Sequence, residues 1–461
     1  MKLKITLLST LIIGILIVGF CEGYYHKLSG AQSEYVDVKI FGAVGDGKTD
    51  DTEAFRKAAS TRKPILVKNT GKAYLVSGRI RLYNSIKGEG NPTIRMTDKV
   101  NRFVMPKKYA YGKYSIFHVG NYQSSSQLII EGLTLDGGWN GRYKGSEFEA
   151  AIYIASSKNI IIRNNTIKNT LGDNILMYWY NSSFEKGTKN YCENITIENN
   201  VLDNPYRCNI ALVSGKNIRI NNNKITKLND FVAAIDLEMD HWDKDGQVVQ
   251  DVIIFGNTIT SVKTKYVIST LGMRDGVSNI TMKQNKIIGS MSEGGVGINF
   301  DAAYGPIRQV NILGNQIDAD LFVRLTGTSG NKEIVIAENR SFTPSNHGVV
   351  VNGSYVDNLI VRNNQSVVSK NYYSNIILGK DVKRVSVHGN DFSSLNWSSL
   401  FFVQDIDQLD IYENNIKSKQ APIYFEPSGD NHMKNIKIYK NKTNSSTIYK
   451  STRKLQKLNS Y

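Results

Sequence analysis

The chain has 461 residues, a net charge of +16, 41% hydrophobic residues and 21% charged ones. That balance excludes a disordered chain, and three cysteines exclude a disulfide scaffold. The positive excess favours polyanionic partners, but no nucleic-acid motif accompanies it, so an acidic polysaccharide or anionic cell surface is the expected partner and nucleic acid is not.

Residues 1–31 read as an export signal or an uncleaved amino-terminal anchor. Lys2 and Lys4 precede an apolar run from Ile5 to Phe20, and Ser29, Gly30 and Ala31 offer small residues for cleavage. The run is short for a membrane span. Phe20 is too bulky beside Cys21 for a lipoprotein site. A secreted or cell-surface protein is expected, bound to the membrane only if this segment persists.

Residues 36–60 (VDVKIFGAVGDGKTDDTEAFRKAAS) form the predicted amino-terminal cap. Val36 to Phe41 reads as a strand, Gly42, Gly45 and Gly47 as a tight loop, and 51–60 as a helix. Asp50 and Glu53 supply a capping box. Val76 to Leu82 and Ile116 to Val119 read as early strands. The basic, tyrosine-containing stretch Lys99 to Tyr114 and the insert Trp139 to Lys144 read as loops that could wall a groove.

From residue 127 one template recurs: a polar residue, apolar-x-apolar, two mostly polar residues, then Asn. It is clear at 159–169 (NIIIRNNTIKN), 194–204, 217–227, 251–261, 279–289 and 309–319, and weaker at 333–343, 358–368, 384–394, 408–418 and 435–445. At 127–137 Leu133 replaces the Asn. The anchor asparagines are 165, 200, 223, 257, 285, 315, 339, 364, 390, 414 and 441. The alternation is strand-like and each unit is too short to bury its own apolar face, so units must stack. A second apolar pair falls between anchors, including Ile175/Met177, Ile210/Leu212, Ile235/Leu237, Ile298/Phe300 and Phe401/Val403. Leucine-rich repeats and propeller blades fit the spacing less well. The predicted fold is all-β: a single-domain right-handed parallel β-helix over 36–445, followed by a loose basic tail or small end cap at 446–461. The anchor Asn should form a ladder of stacked amides inside a turn, in a left-handed backbone that Asn tolerates. Cys192 and Cys208, on successive coils, are either paired or two small buried residues.

The charged cluster lies in FVAAIDLEMDHWDKD, residues 231–245. With Ile235 and Leu237 inward, Asp236 and Glu238 point outward about 6.6 Å apart. Carboxylates at that spacing suit glycoside hydrolysis, with Glu238 as general acid and Asp236 or Asp173 as base or nucleophile. Two coils on, Asn299 and Asp301 fall in the same columns; two coils earlier Asp173 begins the equivalent strand. Arg207 and Arg324 would hold an anionic substrate group, and Tyr178, Trp179, His241 and Trp242 would stack on sugars or shuttle protons. Asp236, Glu238 and Asp301 could instead bind calcium, the one cofactor considered, or be plain solvated surface.

The run FGAVGDGKTDDTEAF resembles the opening motif of the pectate-lyase-like superfamily, and AIDLE partly resembles a GIDLEP element found there. The resemblance implies a carbohydrate-active β-helix: a glycoside hydrolase on an acidic or cell-surface polysaccharide, a calcium-assisted lyase or epimerase, or a non-catalytic wall-binding protein. Asp173-Asn174-Ile175 stands where polygalacturonases have Asp-Gly-Ile. Their Asp pair and Gly-His-Gly are missing, so a standard polygalacturonase is not implied.

Overall fold

A computed structural model describes residues 35–97, 115–141, 145–147, 149–179, 191–239, 247–261, 263–274, 276–290, 294–341, 348–369, 373–427, 433–453, 455 and 458–460. The export segment, the whole Lys99–Tyr114 loop, Arg142 to Lys144, Asp240, His241 and Trp242 lie outside them.

The chain winds as a right-handed parallel β-helix with three strands per coil. Among the described residues, sheet A has sixteen strands from Val36–Asp37 to Leu458–Ser460. Sheet C has fourteen, from Ile80–Arg81 to Tyr449–Ser451. Sheet B has a run of nine and a run of four, joined by the single bridges Gln316 to Arg340 and Arg340 to Gln365. Each template copy supplies an A strand, the Asn turn and a B strand; the second apolar pair supplies the C strand. The apolar-x-apolar pairs face inward because successive side chains alternate. Ile160, Ile162, Ile175 and Met177 are fully buried in one continuous core.

The anchor asparagines form the expected ladder. Asn257 is representative: its backbone N–H and its Nδ2 both donate to Asn285 Oδ1, at 2.9 and 3.0 Å. Its Nδ2 also donates to the Ile220 carbonyl, at 2.8 Å. The same pattern runs from Asn165 to Asn441, and the Leu133 N–H joins it by donating to Asn165. The left-handed residue, however, is the one before the anchor: Asn164, Asn199, Asn222, Gly256, Gln284 and their equivalents have positive φ. The anchor is therefore free to turn its amide inward, while its predecessor makes the bend.

Four other expectations are corrected. Val36 to Phe41 is a two-residue strand followed by a 3-10 turn, Val38–Phe41, closed by left-handed Gly42. The helix spans Thr52–Ser60 with Asp51 at its N-cap position but no side-chain cap. Asp50 bonds to Thr52, and Asp51 accepts from Val44 and Gly45 in the preceding loop. A Cβ on Gly45 would sit 2.7 Å from the Tyr74 ring, so this loop requires glycine there. In the strand Leu400–Val403 the buried pair is Leu400 and Phe402, not Phe401 and Val403; four apolar residues in a row leave the sequence no parity to read. The tail is not loose throughout: Tyr449–Ser451 and Leu458–Ser460 pair onto the last coils. Cys192 and Cys208 are free and buried, because one faces the core and the other the outer face of sheet C. Among the described residues no helix is long and apolar enough to cross a membrane.

Asn285→Ala removes a ladder rung and leaves its neighbours' buried donors unmet, at a cost of about 3 kcal/mol or more. Asn441→Ala, at the half-buried end of the ladder, should cost clearly less. Urea titration of the two variants measures both.

Candidate active site

The outer face of sheet C carries the charged cluster. In the strand Ile235–Glu238, Ile235 and Leu237 enter the core, so Asp236 and Glu238 project outward. Strand register aligns Asp236 with Ser269, Asn299 and Arg324 on the next three coils. Glu238 aligns with Leu271 and then Asp301. Both expected columns are therefore present.

The wall is not an exposed one. Asp236 is 4% exposed and Asp173 fully buried. Around them an outward-facing apolar cluster packs Tyr153, Leu176, Tyr178, Trp179, Cys208 and Ala211. Tyr178 and Trp179, expected as open stacking surfaces, lie against each other at 5.3 Å and are buried. This apolar packing desolvates groups that alternation alone would place in water.

Desolvation sets the electrostatics. Burial, the charge of Glu238 and a hydrogen bond with Glu238 hold Asp236 well above the usual carboxylate range. The carboxyl kept protonated is thus Asp236, where the sequence pointed to Glu238. Asp173 is pushed up to about 6 by burial, against the pull of Arg207 and of the Cys208 N–H, which donates to its Oδ1 at 2.8 Å. Arg207 lies 3.8 Å from the other oxygen and also donates to the Glu147 carbonyl. Burial works against the Arg207 charge, yet Asp173 carries its pKa above the ordinary value. The Arg207 cation is consequently neutralised inside the protein and is not offered to a substrate.

Lys227, which the sequence reading passed over, completes the cluster. It is fully buried at the end of a sheet B strand. Burial lowers its pKa to about 8 against the attraction of Cys208 and Asp173, and its Nζ donates to Asn229 at 2.5 Å. A signal existed: the position pairs with Ser261, and later strands end there in small buried residues such as Ser394 and Ser418.

Arg324 stands apart from Arg207. It donates to the Tyr266 hydroxyl at 2.7 Å and lies over that ring at 5.9 Å, three coils beyond Asp236. The two arginines do not form one clamp. Nor do Asp236, Glu238 and Asp301 converge as a calcium set, since Asp301 is two coils from Glu238. Among the described residues no group of three or more His, Cys, Asp or Glu is placed to hold a metal ion. A polar groove of about 530 Å³ lies elsewhere, on the later coils at the turn from sheet C to sheet A.

The fold defines the class: a parallel β-helix protein with a charged cluster on the outer face of one sheet. Residues 35–243, somewhat under half of the chain, match the family model described as rhamnogalacturonase A/epimerase, pectate lyase-like. Over 132 residues the chain is 33% identical to the pre-neck appendage protein of Bacillus phage B103, a match covering 28% of this chain and 14% of that protein. Among solved structures, the Streptococcus pneumoniae surface adhesin PfbA aligns over 89% of this chain and 91% of its own, with 16% identity and a TM-score of 0.46. The exopolygalacturonase of Thermotoga maritima aligns over 82% and 91%, with 13% identity and a TM-score of 0.44.

Asp173 gives a signed pH effect. Unfolded, it releases its proton near 3.8; folded, it keeps it to about 6. The folded state binds more protons in that window, so this residue's contribution to stability falls as pH rises from about 4 to about 6, by on the order of 3 kcal/mol. Asp173→Asn cannot titrate. The stability difference between wild type and variant should shift by that amount across the window in urea titrations at pH 4 and pH 7, and a flat difference would remove the assignment.

Proposed function

We propose that the chain is a secreted or surface-held glycoside hydrolase acting on a polysaccharide by inversion. The observation that carries this reading is the placement of Asp236 and Glu238 two residues apart on the outward face of one strand, with Asp301 in the Glu238 column. Burial and the neighbouring Glu238 charge hold Asp236 well above the usual carboxylate range, so the two carboxyls share a proton more readily than they ionise together. The pair works as one acid. Asp236 stores the shared proton in its buried site, and the less buried Glu238 passes it to the leaving oxygen. Asp301, half-exposed and two coils further, stands about 10 Å along the column by strand spacing. Inverting pairs lie about 6.5–9.5 Å apart, so a base there that takes a proton from the attacking water needs the two side chains to lean toward each other across the Leu271 coil.

The family description names rhamnogalacturonase and epimerase activities, and the +14 left after residues 1–31 would draw an anionic polymer to the surface. Arg324 is the cation on this face suited to an anionic group of the substrate. A hydrolase reading needs no metal.

The test incubates purified protein with rhamnogalacturonan, polygalacturonate and bacterial wall polysaccharides. Reducing ends should appear without the ultraviolet absorbance of an unsaturated uronate, and the first product anomer should be inverted by NMR. Glu238→Gln and Asp301→Asn should each lower kcat/KM by about 100-fold or more. Ultraviolet-absorbing products would replace hydrolysis with β-elimination. Full activity in Asp301→Asn would remove the base.

A further inference from the structure

The groove on the later coils lies well away from the carboxyl pair and is shaped by turn length. The turn from sheet C to sheet A has four residues after Leu321–Thr326, then two, three and two on the next coils, and nine after Ile423–Glu426. Three short turns between longer ones leave a trough across three coils, about 14 Å long by strand spacing. Its volume of about 530 Å³ is within the range of small-ligand sites.

Its lining is polar and mixed in sign. Lys332 pairs in register with Asp357, and the register of the next coils continues that row with Lys383 and Asp407. Asp381 lines the trough beside them, with Tyr355. Opposite charges one coil apart would be expected to pair. Asp357 instead takes Arg384, at 2.8 Å. The side chains of Lys332, Asp381, Lys383 and Asp407 have no hydrogen-bond or ion-pair partner in the described structure. Lys332, Lys383 and Asp407 in the row, and Asp381 beside it, thus keep donor and acceptor capacity unspent, while Asp357 is taken by Arg384. Three lysines face four aspartates there, so the trough is close to neutral in a strongly basic chain and does not favour a polyanion.

The geometry points to a second binding site: a trough for an uncharged saccharide, whose hydroxyls each donate to an aspartate and accept from a lysine, with Tyr355 offering a ring edge. A site of this kind would hold a glycan on the later coils whether or not the carboxyl pair on the earlier coils is catalytic. Joined to the outer face of sheet C on one rigid solenoid, it would add avidity for long polymers.

The experiment titrates the full chain with maltohexaose, cellohexaose and xylohexaose, and with hexagalacturonate as the anionic control, by calorimetry and ligand-observed NMR. At least one neutral hexasaccharide should bind. The double variant Asp381→Ala/Asp407→Ala should weaken that binding at least tenfold with an unchanged melting temperature, while Asp236→Asn leaves it intact. The proposal is overturned if no neutral hexasaccharide binds, if only hexagalacturonate does, or if Asp236→Asn and not the double variant abolishes binding.

Discussion

A buried amide passed from coil to coil is the constraint on which this molecule depends. Each anchor asparagine fills a place where a turn would otherwise strand backbone donors and acceptors in an apolar interior. Its oxygen accepts from the rung before, and its nitrogen meets both a carbonyl of that earlier coil and the rung after. Apolar-x-apolar pairs supply the burial, but they would tolerate sliding by two residues. The ladder does not, because a slipped rung leaves several buried polar groups unmet at once. Register is therefore set by side-chain hydrogen bonds and reinforced by the core.

Fixed register is what turns strand alternation into a site. With coils locked, Asp236 stands in line with Asn299 and Arg324, and Glu238 with Asp301. The chemistry then comes from what surrounds those columns. An outward-facing cluster of Tyr153, Leu176 and Tyr178 removes water from Asp173 and Asp236, so Asp236 holds its proton and Asp173 keeps its own up to about pH 6. Arg207 and Lys227 offset the remaining charge from within. The same solenoid, with shorter turns further along, exposes a neutral trough instead.

The repeat, the ladder and the outward columns were all legible in the sequence, because each depends on periodicity along the chain. Burial of the outer face was not. Whether Tyr178 and Trp179 meet solvent depends on outer-face neighbours such as Tyr153 and Ala211, which lie on other coils. Lys227 escaped notice because its place in the template looks solvent-facing and only its cross-coil partner Ser261 reveals a tight corner. The left-handed position was misplaced by one residue since Asn often occupies both sites, as at Asn164–Asn165 and Asn199–Asn200. The coil at Leu400 was misread because an unbroken apolar run carries no alternation. In each case the missing information was three-dimensional proximity.

Ladder partners are separated by as few as 23 residues and as many as 35, yet their hydrogen bonds keep the same lengths within a few tenths of an ångström. Excess chain is spooled out at the corners of the triangle and never reaches the rungs. Such a scaffold can gain or lose surface loops of a dozen residues without renegotiating its interior, which separates the evolution of its binding faces from the upkeep of its fold.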